Sequence, residues 1–474
     1  MSSVFTNHDL NFVFGPDSSG DTPRERAGTS KAKFVRSQIQ LAPYSESATG
    51  RVLGALEALR AFGWDVLLQA TLEGSAPLVS SPQEPATTLR TRREELGLTH
   101  ERLAKGSGIS VNMLQKAETI GAKTPIRDLE SIAQALALNE QKLGLVPNAG
   151  CDAQLGVRLR EMASARDIVG FTATTVLQLS EAAWVIARQA ALQKCLAESG
   201  LQARVAKPHH DSSFWYPSYE TGYRLAKETR DLLGIGRKDP IESVRKIVED
   251  DFGLPLVQLQ MNQRFAGATM ANGSVRGIVI NETGMNSNVW VRRMTLCHEL
   301  GHLLWDPDDR LQRVMVDAYA ELEMSDREIQ RDPAEIRANA FAVAFLAPPV
   351  AVQSIADRLS DPLDVVREVM NTFGISATAA KHHVRNITNL NTSACSARQL
   401  PDPEQHWVAM ENLTLDYFPI KATPLLRRGK YAWFVAKAFE AGEISLDSAT
   451  AYLAVPAGDV NEEVLALVSE LRLG

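Results

Sequence analysis

Residues 289–305, VWVRRMTLCHELGHLLW, set two histidines four positions apart inside an apolar run. On a helix this spacing puts His298 and His302 on one face, about 5–6 Å apart at Cβ, so one ion can sit between the imidazoles. The pattern requires a helix there and a partner element carrying a third ligand, because a catalytic zinc takes three protein ligands and keeps a fourth position open. Glu299, beside the first histidine, is the natural general base for hydrolysis, since zinc brings the pKa of water down to about 7. Leu296, Leu300, Leu303 and Leu304 are expected to bury the rest of the helix. Gly301 is costly in a helix interior and argues for a packing or site constraint.

Downstream, DPAEIRANAFAVAFLAPP begins with an acid and a proline, as a helix start should. Glu335 and Asn339 stand at i and i+4 on it. Glu335 can reach back to the metal as third ligand, and Asn339 can orient a histidine from behind. The strand GIVIN, 277–281, is read as an edge that pairs with an extended peptide substrate. Cys297 lies about 100° around the helix from His298. It reads as a core residue, with a redox-sensitive gate as the sharper alternative. His382 and His383 read as surface residues of a helix.

These pieces together resemble the ImmA/IrrE family of bacterial zinc peptidases over residues 219–390. The matching segments are YETGYRLAKETRDLLG, the strand ending IVIN, MTLCHELGHLLW, EIRANAFAVAFLAPP and the helical FGISATAAKHHVRNI. The resemblance implies a zincin-like domain with His298, His302 and Glu335 as Zn2+ ligands and Glu299 as base. It also implies a repressor-type protein as substrate, whose cleavage releases silenced genes.

A second pattern lies upstream, in LRTRREELGLTHERLAKGSGISVNMLQKAE followed by LESIAQALAL. One helix ends at Gly97, Thr99 caps the next, and Arg102 stands where a capping box would have Glu or Gln. A turn at GSGIS leads to a third helix from Ser110, with Ala104 and Leu114 where the two helices cross. This is the helix-turn-helix layout. It resembles the XRE family of repressor-like domains over residues 88–145, which implies that Ser110, Val111, Asn112, Gln115 and Lys116 face double-stranded DNA. Asn and Gln can read adenine, and Lys can hold phosphate or guanine. The net charge is -7, so any DNA contact must come from a local patch, and Arg90, Arg92 and Arg93 are the expected source. Val111, His100 and Pro125 depart from the family pattern. The alternative is a degenerate helical domain used for protein contacts or dimerisation.

A chain of 474 residues suggests about three or four units. Residues 1–40, polar and rich in Ser, Gly, Asp and Arg, read as a disordered tail. Residues 41–84 form a small unassigned segment and linker, with helical spacing over 46–62 and a strand over 65–74. Residues 85–147 are the helix-turn-helix domain. Residues 148–211 are a helical connector and linker, in which 179–198 reads as a packing or dimerisation helix and His209-His210 as loop residues. Residues 212–390 are the peptidase domain. Residues 391–474 are a linker and a helical C-terminal segment, with two helices around GEIS and Tyr431, Trp433 and Phe434 as core.

The expected fold class is α+β, mostly α, with a separate all-α helix-turn-helix domain. No run of about 20 apolar residues predicts a membrane span, the N-terminus lacks a secretory pattern, and four scattered cysteines show no CxxC. The expectation is a cytoplasmic zinc-dependent endopeptidase coupled to transcriptional control of stress, mobile-element or phage-defence genes, with a homodimer compatible. Two alternatives stand beside it: a regulator whose peptidase-like domain senses a ligand or metal without cleaving, and a toxin-like module.

Overall fold

Thr6 and Thr22 open the first two helices, α1 (Asn7–Phe14) and α2 (Pro23–Thr29). Each hydroxyl accepts a third-position amide while Asp9 or Glu25 bonds back to the cap, so both are complete capping boxes. Leu10, Val13, Phe14 and Ala27 are buried beneath them. The polar composition expected to mark a disordered tail over 1–40 therefore hides an ordered segment over residues 5–40. The computed structural model describes residues 5–146, 172–197, 218–311, 315–318, 332–411, 418–456 and 458–471, with isolated positions between 149 and 159. Cys151, His209 and His210 lie outside the described residues.

Contacts divide the chain into two units, 1–201 with 416–471, and 202–415 with 472–474. In the first, β1 (Lys33–Arg36), β2 (Gln40–Pro43), β3 (Arg51–Gly54) and β4 (Ala76–Pro77) form an antiparallel four-stranded sheet in the order β3-β1-β2-β4. Two helices lie with it, α3 (Ala55–Phe62) and α4 (Trp64–Glu73). The run expected as a strand over 65–74 is thus helical. Leu67 and Ala70, three apart, are its buried residues, which is helical and not strand spacing.

The helix-turn-helix follows as α5 (Ala86–Glu95), α6 (His100–Ser107), α7 (Val111–Ala117) and α8 (Ile126–Ala135). It is built into the first unit and does not stand as a free module. Gln38, in the β1–β2 turn, donates to the Ala122 carbonyl at 3.1 Å and accepts from the Thr124 amide at 2.6 Å. Buried Arg36 donates to the Glu140 and Leu143 carbonyls at 2.7 and 2.9 Å. The long α9 (Ala173–Ala197) is buried on most of its faces and packs within this unit. A Cβ on Gly106 of α6 would fall 1.9 Å from a methyl of Leu177 on α9, so a larger residue there would require the Leu177 side chain to move.

In the second unit, α10 (Ser218–Leu233) ends at Gly234, whose φ is +69°. Ser243 caps a short α segment that widens into a π turn over Ile247–Asp251. Strands β5 (Leu256–Leu259), β6 (Phe265–Asn272) and β7 (Val275–Asn281) precede the histidine helix α11 (Val289–Trp305), the one-turn α12 (Asp308–Leu311) and β8 (Met315–Ala318). The sheet order is β5-β7-β6-β8, with β5–β7 parallel and the other pairs antiparallel. The GIVIN strand therefore lies inside the sheet, paired on both sides. The expected edge role is corrected, because its ladder is already filled by β5 and β6.

Helices α13 (Pro333–Leu346), α14 (Pro349–Arg358), α15 (Pro362–Phe373), α16 (Ala377–Thr388) and α17 (Gln405–Met410) complete this unit. Where α10 crosses α13, a Cβ on Gly222 would stand 2.4 Å from the Arg337 carbonyl oxygen. Gly301 plays the same part between α11 and the Phe341 ring of α13, at 2.9 Å, which is the packing constraint its sequence position suggested. The stretch expected as a linker after residue 390 is docked. Trp407 and Glu411 are buried, and Glu411 accepts the Val244 and Arg245 amides at 2.7 and 3.2 Å. Glu411 also pairs with Arg293, whose guanidinium lies 4.4 Å from the Trp407 ring centre.

The C-terminal helices α18 (Lys430–Glu440), α19 (Leu446–Tyr452) and α20 (Glu462–Ser469) return to the first unit. The two helices expected around GEIS are present, with a third beyond them. Tyr431 and Phe434 are buried and Trp433 half-buried. Asp447 binds Arg51 at 2.7 Å, Arg127 at 2.6 Å and the Val52 amide at 2.9 Å. Arg427 binds Gln134 at 3.0 Å and Glu181 at 2.7 Å. Among the described residues, no single helix is long and apolar enough to cross a membrane.

Candidate metal centre and helix-turn-helix face

Asn288 caps α11, its side chain accepting the Trp290 amide at 2.9 Å. Thr295 ties the helix to Asn286 at 2.9 Å, and Asn286 donates to the Ala266 and Asn281 carbonyls at 2.8 Å each. The helix is thereby fixed against β6 and β7 before the histidines occur. His298 and His302 follow, both buried at 1% exposure. From α13, Glu335 reaches the same point, and the candidate ligand atoms of the three residues all lie within 4.8 Å of one another.

The finer geometry tests the donor set. The two Nε2 atoms are 3.0 Å apart, and Glu335 Oε2 lies 3.3 Å from one and 3.4 Å from the other. Atoms held 2.0–2.2 Å from one tetrahedral zinc stand about 3.3 Å apart. Each histidine uses its Nδ1 elsewhere: His302 on Asp306 Oδ2 at 2.8 Å, and His298 on Asn339 Oδ1 at 3.0 Å. A carboxylate only accepts, so His302 carries its proton on Nδ1 and presents Nε2 as an acceptor. Two acceptor nitrogens and a carboxylate oxygen converging this closely suit a cation.

Glu299 is fully buried at 0% exposure beside the donors, and Thr269 of β6 donates to its Oε2 at 2.7 Å. Gly267, two residues earlier on the same strand face, leaves the room it needs, because a Cβ there would stand 2.9 Å from Oε1. Three residues around the site escape a reading of motifs alone. Asp306 stands four residues beyond His302, a spacing that marks it as a neighbour on the same turn. Arg310 and Thr269 come from other elements, and nothing in the local pattern signals them. Cys297 is wholly buried and burial pushes its thiol well up, which makes it a core residue and leaves the redox gate without support. His383 is also buried, correcting its surface reading. It takes the Tyr223 hydroxyl on Nδ1 at 2.9 Å, donates from Nε2 to the Ala347 carbonyl at 2.8 Å, and burial lowers its pKa to about 4.

Residues 262–385 match the family model for the IrrE N-terminal-like domain, a peptidase family. Residues 89–143 match the helix-turn-helix family. The chain thus joins a metallopeptidase-like domain to a DNA-binding regulator domain. No curated protein matches it.

In the second domain, Thr99 caps α6 and Ser110 caps α7, accepting the Arg102 and Met113 amides at 3.3 Å each. Along α7, Asn112, Gln115 and Lys116 are exposed with Ser110, while Val111 is half-buried. Of the arginines expected to supply positive charge, Arg92 and Arg93 serve otherwise. Arg92 is buried and bonds the Asp152 carbonyl at 2.6 Å. Arg93 pairs with buried Glu118 through two bonds of 2.7 and 2.9 Å, and Arg90 bonds the Glu118 carbonyl. His100 completes this cluster at 3.1 Å from Glu118, which gives its departure from the family pattern a packing role. The exposed cations near the turn are Arg102, Lys105, Lys116 and Lys123, with exposed Arg90 on α5.

Proposed function

We propose that the second unit is a zinc-dependent endopeptidase that cleaves a repressor-type protein, and that the helix-turn-helix directs this activity to transcriptional control. The observation that carries the reading is the convergence of His298 Nε2, His302 Nε2 and Glu335 Oε2 at 3.0–3.4 Å with Glu299 adjoining. Those three residues would hold the ion, and Asn339 and Asp306 orient the histidines from behind. When bound, zinc supplies Lewis acidity to the site.

Glu299 takes a proton from the attacking water as the new C–O bond forms. It returns that proton to the departing amine as the peptide C–N bond breaks. Thr269 donates to Oε2 and holds this carboxylate in place. On α7, Asn112 and Gln115 would read adenine edges from the exposed face, with Ser110 and Val111 alongside, and Lys116 would hold phosphate. Cytoplasmic placement and a homodimer are consistent with this reading.

The test is incubation of the zinc-loaded chain with repressor-type proteins, alongside the Glu299→Gln variant. Cleavage by the parent and none by the variant is the expected result. Zinc binding with no cleavage by either would transfer the reading to a metal- or ligand-sensing regulator.

A further inference from the structure

We infer that Arg310 is a positioning residue of the metal site, holding Glu335 to a single ligating oxygen and tying it to His302. This rests on the metal-site reading above and goes beyond it to a residue that no motif marks.

Arg310 lies on the one-turn helix α12, between the two ligand-bearing helices in sequence. Its guanidinium meets three carboxylates. Nε donates to Asp306 Oδ2 at 2.8 Å, one terminal nitrogen donates to Asp332, and the other donates to Glu335 Oε1 at 2.6 Å. Glu335 therefore has its two oxygens divided. Oε1 is held by Arg310, and Oε2 faces the two Nε2 atoms at 3.3 and 3.4 Å.

A carboxylate that ligates through both oxygens takes two coordination positions, which would fill a four-coordinate site. With Oε1 held by a cation, Glu335 contributes one atom, and a position stays open for water or substrate. The same guanidinium grips Asp306, which fixes the His302 ring through Nδ1 at 2.8 Å and is also bound by buried Arg337. One planar group thus sets the spacing between a ligand on α11 and a ligand on α13. A lysine ammonium keeps the charge but lacks the rigid fork that reaches Asp306 and Glu335 in one plane. If Arg310 were only an ion-pairing residue for stability, its loss would soften the fold and leave the coordination as it was.

The test uses the full chain, cobalt(II) as spectroscopic probe and zinc as competitor, with Arg310→Gln, Arg310→Lys and, as control, Asp332→Asn. The parent should bind one cobalt per chain with the intense visible bands of four-coordination. Both Arg310 variants should show the weaker bands of higher coordination and bind zinc at least about tenfold less tightly. Asp332→Asn, which removes only the outermost arm, should leave both readings unchanged. Arg310 variants with parental bands and affinity would overturn the inference while leaving the metal site intact. A parent chain that binds no cobalt and no zinc would overturn the metal-site reading itself. The lysine variant retains the charge and most of the stem, so it reports on the fork even if the glutamine variant fails to fold.

Discussion

At the scale of single residues, the histidine pair works because each ring is anchored at the nitrogen that does not face the site. Asp306 is the stronger anchor, since it is a fully buried carboxylate held by two arginines. Asp306→Asn should keep the fold and lower zinc affinity by about 10- to 100-fold, read by competition with a chelator. Unchanged affinity would remove Asp306 from the site. His383 makes a separate prediction. Its pKa is near 4 against an ordinary 6.5, so the unfolded chain takes up the proton first as pH falls. The stabilisation it gives is complete above about pH 6.5 and is lost as pH drops toward 4, by about 3 kcal/mol in all. Its ring signals in an NMR titration should stay in the neutral form down to about pH 5, and an inflection near 6.5 would contradict this.

Much of the site was legible at this scale. His298, Glu299 and His302 follow from one helical period, and Glu335 and Asn339 from a second, because both motifs bind within single helices. Asp306 was legible in principle at i+4 from His302. Arg310, Thr269 and Gly267 were not, since their roles exist only once β6, α12 and α13 are brought together. Arg93 of α5 misled for the same reason: its partner Glu118 lies across the helix-turn-helix and is invisible to local charge counting.

At the scale of elements, Gly222 and Gly301 decide how closely the helices of the second unit meet. Gly222→Ala would set a methyl 2.4 Å from a backbone carbonyl of α13, where no side chain can yield. It should destabilise the second unit by about 1–3 kcal/mol, seen as a lower urea midpoint. A midpoint equal to the parent's would show that α10 and α13 part freely. The short strands of the first sheet, two to four residues each, carry too few positions for an alternating pattern to be read. The helices of residues 7–29 went unread because a single polar average masked buried Leu10, Val13 and Phe14. Their capping boxes at Thr6 and Thr22 were the local signal.

At the scale of the whole molecule, the chain leaves its first unit, builds the second, and returns to the first through α18–α20. Asp447 is the fastening of that return, joining buried Arg51 and exposed Arg127. Asp447→Ala leaves Arg51 with Glu130 and the backbone carbonyl of residue 447 as partners and should cost the first unit about 1–3 kcal/mol. By calorimetry, the transition of the first unit should fall and that of the metal-binding unit should not. Equal shifts in both would contradict the division into two units. For the DNA face, Lys116→Ala should weaken duplex binding uniformly across sequences and lower the salt slope by about 1. An unchanged slope would remove Lys116 from the phosphate contact.

The claim on which most of this depends is the His298–His302–Glu335 centre. It is tested most directly by the zinc content of the purified chain beside His298→Ala, Glu335→Ala and Glu299→Gln. The expected result is one zinc per chain in the parent and in Glu299→Gln, and none retained after dialysis in the other two. A parent chain without zinc, or a His298→Ala chain that keeps it, would contradict the account.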